Sequence, residues 1–122
     1  MKILLVDDEE DLSLLLAKRL EHHGFVVETA VDGLDCLEKI VNFYPDIILL
    51  DIVMPRMDGW EVCKKLRSQP TTKNIPIVFF SALIEPYLQD KVKNAGGNAL
   101  VQKPFNIESL LQIIKRHSSP TV

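Results

Sequence analysis

Short apolar runs of β character alternate with longer stretches of helical period along the whole chain, and this alternation limits the fold more than any other feature. Ile3–Val6 is the first run, and Asp11–His22 follows it with Leu12, Leu15, Leu16 and Leu20 at roughly one-face spacing. His23-Gly24 ends that helix, as a glycine just past the last turn does. Phe25–Glu28 reads as a short strand, Asp32-Gly33 as a turn, and Leu34–Asn42 as a helix with Cys36, Leu37, Ile40 and Val41 on one stripe. After Pro45, Ile47-Ile48-Leu49-Leu50 is an unbroken apolar run, the mark of a strand buried on both faces. Trp60–Arg67 is a third helix, which Asp58 caps ahead of Gly59. Ile75–Phe80 is a fourth strand, with Pro76 tolerable only near its start. Glu85-Pro86 opens a fourth helix, which Asn94-Ala95-Gly96-Gly97 closes. Ala99–Val101 is a short fifth strand, and Asn106 caps a last helix bearing Ile107, Leu110, Leu111 and Ile114.

Strict β–α alternation predicts an α/β fold: a single doubly wound parallel sheet with helices on both faces and right-handed crossovers. A chain of 122 residues that is 47% apolar can build one such core, so a single domain over 1–117 is expected, with 118–122 as a disordered tail. No apolar run approaches the length of a membrane span, and the start of the chain lacks the apolar stretch and cleavage site of a secretory signal. Cytoplasm is therefore the expected compartment. Cys36 and Cys63 both lie in helical patterns and read as small core residues. A net charge of −3 argues against direct nucleic-acid binding by this domain.

In such sheets ligands bind beyond the carboxyl ends of the strands, where the strand order reverses. Asp7, Asp8, Glu9 and Glu10 follow the first run, Asp51 the third, Ser81 the fourth, and Lys103-Pro104 the fifth, while Thr29-Ala30 after the second carries no charge. That asymmetry places the reversal between strands 1 and 3 and gives the order 2-1-3-4-5, an order already known for sheets of this kind. Three carboxylates then meet at neighbouring strand ends. Two like charges about 4 Å apart repel by about 4 kcal/mol at an effective dielectric of roughly 20, so one acid keeps its proton unless cations compensate. Lys103 supplies one positive charge, and Mg2+ suits the rest: a hard ion content with one or two carboxylates, several waters and phosphate oxygens. The expected roles follow. Asp51, rigid behind the most buried-looking strand, accepts a phosphoryl group on its carboxylate. Asp8, Asp51 and the Val53 carbonyl hold the metal, with Asp7 acting through water. Lys103 and the Ser81 hydroxyl hold phosphoryl oxygens, and Pro104 fixes the loop through a cis peptide.

At these residues the chain resembles the receiver domain of two-component response regulators, a flavodoxin-like, CheY-like fold with five helices. The resemblance rests on Leu4-Leu5-Val6-Asp7-Asp8-Glu9, on Asp46 through Pro55, on Met57-Asp58-Gly59, on Phe80-Ser81-Ala82 and on Lys103-Pro104-Phe105, and it spans the chain to about His117. It implies that a sensor histidine kinase or phosphotransfer protein donates the phosphoryl group from a phosphohistidine. It also implies that the face of the fourth helix, fifth strand and fifth helix binds a downstream protein or attached effector, and that activated homodimers form through this face. A stand-alone regulator and the N-terminal part of a longer one both fit this resemblance. Leu100 departs from the pattern, because three residues before the lysine the family usually carries an aromatic that swings inward on phosphorylation. With leucine there, switching falls to the backbone and to Ser81. Val53 and Leu83, both apolar, flank the expected mouth, so no side chain there positions an attacking water and a long-lived phosphorylated state is expected.

Two other functions share this fold. A phosphorylation-independent interaction module predicts a damaged site, yet the acidic pair, Asp51 and Lys103 are intact. An aspartyl-phosphate phosphohydrolase wants a second acid shortly after the nucleophile, where this chain has Val53, and a cap domain that 122 residues do not accommodate. The expected protein is thus a switch that turns over no separate substrate. Glu9 and Glu10 read as solvated first-turn charges, His22, His23 and His117 as helix-end residues, and Trp60 and Tyr87 as partly exposed aromatics.

Overall fold

The computed structural model describes residues 1–118. Five strands, β1 (Lys2–Val6), β2 (Val26–Ala30), β3 (Ile47–Leu50), β4 (Ile77–Ser81) and β5 (Ala99–Gln102), alternate with α1 (Glu10–His22), α2 (Gly33–Phe43), α3 (Gly59–Arg67), α4 (Leu88–Ala95) and α5 (Ile107–Ser118). All pairings are parallel, and the order is β2-β1-β3-β4-β5, as the distribution of strand-end charges predicts. Ser118 closes α5, and the remainder of the expected tail lies outside the described residues.

Side chains alternate across the sheet and so divide the core into two layers. Leu4, Val6, Ile48, Leu50, Ile77 and Phe79 pack under α2, α3 and α4. Ile3, Leu5, Ile47, Leu49, Val78 and Phe80 pack under α1 and α5. Every residue of β3 is fully buried, which is why its sequence shows no polar alternation. Both cysteines lie in the core, and burial, aided by the Asp35 charge, pushes the Cys36 thiol up to about 12. Among the described residues no helix is long and apolar enough to cross a membrane.

Two expectations need correction. The expected leucine face of α1 is buried only at Leu20 and in part at Leu16. Ser13, Ala17 and Leu20 face the sheet, whereas Leu12 is 56% exposed, Leu15 60%, and only Leu16 is partly covered. Small residues at 13 and 17 let the helix lie close to the strands and turn Leu12, Leu14 and Leu15 outward. The Ser13 hydroxyl has no hydrogen-bond partner among the described residues. Likewise Val41 on α2 is exposed rather than part of the packed stripe. The second correction concerns α4. It starts at Leu88, not at Glu85-Pro86, because Tyr87 takes a left-handed conformation (φ 61°) that interrupts helical geometry just after the proline. Tyr87 itself is exposed, and Trp60 is half-buried against Phe79 with ring centroids 5.0 Å apart.

The pole opposite the strand carboxyl ends is tied by Arg67. Its guanidinium donates to the Gly96 carbonyl (2.9 Å), the Ile75 carbonyl (2.7 Å) and Asn98 Oδ1 (3.0 Å), fixing the end of α3 against the entries to β4 and β5.

Candidate functional site

Register builds the site. Val6 pairs with Leu50, and Ser81 pairs with Gln102, so the residues just beyond β1 and β3 emerge side by side, as do those ending β4 and β5. Asp7, Asp8 and Asp51 each place a carboxylate oxygen within 4.8 Å of the others. Lys103 reaches into this group. Its ammonium donates to Asp7 Oδ2 at 2.9 Å and lies 3.5 Å from Asp51 Oδ2 and 4.0 Å from Glu9 Oε1. The same ammonium sits 4.6 Å from the centroid of the Phe80 ring. Asp7 Oδ1 accepts the Glu9 N–H (3.0 Å), and Asp51 Oδ1 accepts the Ile52 N–H (2.7 Å). Asp7 and Asp51 are buried, while Asp8 is exposed at the rim. The Lys103–Pro104 peptide is cis.

The electrostatics are strained in one direction. Burial and the neighbouring Asp7 push the Asp51 carboxyl up to about 6, against the opposing pull of Lys103. Burial draws Lys103 down, but its hydrogen bond to Asp7 and the charges of Asp51, Asp7 and Glu9 outweigh that and hold its ammonium above the ordinary lysine value. One ammonium among three carboxylates leaves uncompensated negative charge. The donor set consists of hard oxygens, so a hard divalent cation fits it.

A cleft of about 420 Å³ opens over these groups, lined by Asp8, Asp51, Val53, Ser81, Leu83 and Lys103. Val53 is 62% exposed at this mouth. The Ser81 hydroxyl accepts the Leu83 N–H at 3.1 Å, the Lys103 N–H donates to the Ser81 carbonyl at 2.8 Å, and the Gln102 side chain donates to the Leu83 carbonyl at 3.2 Å. Leu100 is half-buried and packs against the α2–α3–α4 layer, as does Leu83. The exposed leucines of α1 border a second, apolar groove of about 350 Å³ that also touches Asp7, Lys103, Pro104 and Phe105. Thus all eight expected site residues, Asp7, Asp8, Asp51, Val53, Ser81, Leu100, Lys103 and Pro104, lie at or beside one rim of the sheet, with Leu100 set back in the core.

Sequence reasoning missed two contributors. Asp32 does not merely form a turn. It caps α2, accepting the Asp35 N–H at 2.8 Å, and it also binds the Arg56 guanidinium from the loop after Asp51. An acid three residues ahead of Asp35 was the available signal for the cap, whereas no local pattern announces the Arg56 contact. Gln102 was not singled out at all. Elsewhere Asp58 caps α3 (Glu61 N–H, 3.0 Å), Asn106 accepts the Ser109 N–H (2.7 Å), and His22, His23 and His117 sit at helix ends, all as read from the sequence.

A parallel β2-β1-β3-β4-β5 sheet with acids at the ends of β1 and β3 and a lysine after β5 defines a doubly wound α/β domain with a charged site at the carboxyl ends of its strands. The model of the response regulator receiver domain matches residues 3–115, and the chain belongs to that family. Receiver domains are signalling modules and not enzymes that turn over a separate substrate. Among similar curated proteins, the Staphylococcus aureus response regulator ArlR is 39% identical over 116 residues, 93% of this chain and 51% of its own. The DNA-binding dual master transcriptional regulator RpaA of Synechocystis is 35% identical over 116 residues, 93% of this chain and 47% of its own. The chain therefore spans about half the length of these relatives. Among solved structures, the Vibrio cholerae chemotaxis protein CheY4 superposes with a TM-score of 0.89 at 34% identity, covering 95% of this chain and 97% of that one. The BeF3-activated receiver domain of Klebsiella pneumoniae RstA gives 0.90 at 28% identity, covering 98% and 100%.

Proposed function

We propose that this domain accepts a phosphoryl group on Asp51 from the phosphohistidine of a sensor histidine kinase or phosphotransfer protein, in a Mg2+-dependent reaction, and thereby switches the binding of a partner. The observation that carries this reading is the meeting of Asp7, Asp8 and Asp51 with the Lys103 ammonium at one end of the sheet. An Asp51 carboxylate oxygen forms the bond to phosphorus as the donor's P–N bond breaks, and the departing imidazole takes up a proton. Asp8, Asp51 and the Val53 carbonyl would hold Mg2+, with Asp7 acting through water, and the bound ion supplies neutralisation of the phosphoryl oxygens. Lys103 leaves its pairing with Asp51 to bind a phosphoryl oxygen while Asp7 keeps it in place. The Ser81 hydroxyl, whose residue lines the cleft, donates to another. This is positioning and charge stabilisation, which is most of what such a transfer requires of a protein.

The β4–α4 loop is the element whose two arrangements phosphorylation biases. Its Leu83 carbonyl is tethered to Gln102 and its Leu83 N–H to Ser81, so a pull on the Ser81 hydroxyl reaches both β5 and α4. With Leu100 packed in the core there is no ring to swing, and the backbone carries the change to the α4–β5–α5 face, where an effector or a second copy binds. The apolar α1 groove shares Asp7 and Lys103 with the site, which supports it as the seat of the donor protein. A donor of this kind puts the reaction in the cytoplasm. The test is the intact mass after incubation with Mg2+ and phosphoramidate. One gain of about 80 Da, absent in Asp51→Asn, supports the proposal; no gain in wild type refutes it, and continuous hydrolysis of the donor favours a phosphohydrolase.

A further inference from the structure

The loop between Asp51 and α3 is pinned at its middle by a contact that the acid cluster does not include. The Met57 N–H donates to the Pro55 carbonyl at 2.7 Å, closing a three-residue turn with Arg56 at its centre in a left-handed conformation, φ 68°. Such a turn is costly for a residue other than glycine and persists where the surroundings over-determine it. Here they do so from two sides. The Arg56 guanidinium pairs with the carboxylate of Asp32, which is only 3% exposed and whose other oxygen is fixed by the Asp35 N–H in the first turn of α2. Beside it Gly33 lets the loop come close, since a Cβ there would stand 2.9 Å from both Met57 Cβ and the Met57 carbonyl. At the near end the Gly59 N–H holds the Ile52 carbonyl at 2.8 Å, and the Ile52 and Met54 side chains are buried. Val53 stands between these anchors with its side chain in solvent, at the mouth it shares with Asp8 and Asp51.

We infer that Arg56 and Asp32 are positioning residues for the metal: their ion pair locks the 52–58 loop in the conformation that presents the Val53 carbonyl beside Asp8 and Asp51. The inference rests on the reading of that cluster as a Mg2+ site. A carboxylate ligand can seek a metal by rotating its side chain, but a backbone carbonyl is aimed only by the φ and ψ of its own loop. A loop that leaves the competent conformation part of the time lowers the apparent affinity by the fraction lost. Arg56 is a cationic lid on a buried anion, and without it the strained turn loses its main restraint and Asp32 loses its counter-charge.

The full chain is titrated with Mg2+ by calorimetry, and the Mg2+ half-saturation of phosphorylation by acetyl phosphate is followed in parallel. Asp32→Ser keeps a capping oxygen for the Asp35 N–H but removes the charge, so it separates helix capping from loop positioning. Arg56→Ala and Asp32→Ser are each expected to weaken Mg2+ binding about tenfold. The double variant should be no worse than either single one, because both remove the same contact. Arg56→Lys should recover part of the loss, and half-saturation should rise while the plateau rate changes less. Unchanged Mg2+ affinity in Arg56→Ala overturns the inference, as does a loss seen in Asp32→Ser alone. If Asp32→Ser fails to fold, Arg56→Ala and Arg56→Lys decide the matter between them. A wild-type protein that binds no Mg2+, or that binds it equally well after Asp8→Asn, overturns the metal reading instead.

Discussion

Replacing Asp51 with asparagine should make the metal-free protein more stable while destroying the proposed acceptor. The Asp51 carboxyl is pushed from 3.8 to about 6 by burial and by Asp7, despite Lys103. At about 1.4 kcal/mol for each pH unit, keeping it ionised at neutral pH costs the folded state roughly 3 kcal/mol. The folded protein holds this proton more tightly than the unfolded chain does. Its contribution to stability is therefore fully present below about pH 3.8 and is lost as the pH rises through about 6. Asparagine removes the charge and keeps an oxygen for the Ile52 N–H, but its amide group must find partners, which takes back about 1 kcal/mol. The net expectation is a gain of about 2 kcal/mol at pH 7.5 in EDTA, falling through zero at about pH 4.5 and leaving the variant roughly 0.5 kcal/mol less stable at pH 4. Urea unfolding followed by circular dichroism at the two pH values measures it. Saturating Mg2+ should invert the order: at a hundredfold excess over its dissociation constant an ion adds about 2.7 kcal/mol to the protein that binds it, and the variant lacks one ligand. If Asp51→Asn were less stable than wild type in EDTA at pH 7.5, with the same gap at pH 4, the electrostatic account of the cluster would be wrong.

Four further outcomes are expected. Gly59→Ala should cost more than about 3 kcal/mol in urea unfolding, because its Cβ would lie 2.2 Å from the Asp51 carbonyl oxygen, and backbone cannot step aside as a side chain does. Ser13→Ala should stabilise by about 1 kcal/mol, read as a higher urea midpoint, since the buried hydroxyl has no partner among the described residues. Leu15→Glu on the exposed face of α1 should slow phosphorylation by a donor protein about tenfold or more, leaving the rate with acetyl phosphate unchanged. The phosphorylated protein, once freed of donor, should keep its phosphoryl group for minutes in an intact-mass time course, because Val53 and Leu83 at the mouth orient no water; loss within seconds contradicts this.

Much of the fold was legible because parallel strands buried on both faces leave unbroken apolar runs, and Ile47–Leu50 shows this at its plainest. Once the strands are set, a residue one step past a run must stand at the sheet's carboxyl end, so Asp7, Asp51 and Lys103 could be brought together from sequence alone. Helix faces were harder. Four leucines among residues 12–16 offer two competing stripes, and the choice was made by the small side chains of Ser13 and Ala17, whose value is that they take up little room. The start of α4 was misjudged because Pro86 suits a first turn, while the left-handed Tyr87 that delays the helix has no local signature. The Arg56–Asp32 contact joins residues 24 apart and depends on how α2 docks against the loop, which periodicity does not encode.

The central claim is that Asp51 is the phosphoryl acceptor, served by Asp7, Asp8 and Lys103. The most direct test is chemical capture of the residue: incubation with Mg2+ and acetyl phosphate, reduction of the acyl phosphate with borohydride, and peptide mass mapping. The account predicts homoserine at position 51 and nowhere else, with none formed when Mg2+ is chelated. Homoserine at Asp7 or Asp8, or none under any condition, would contradict it.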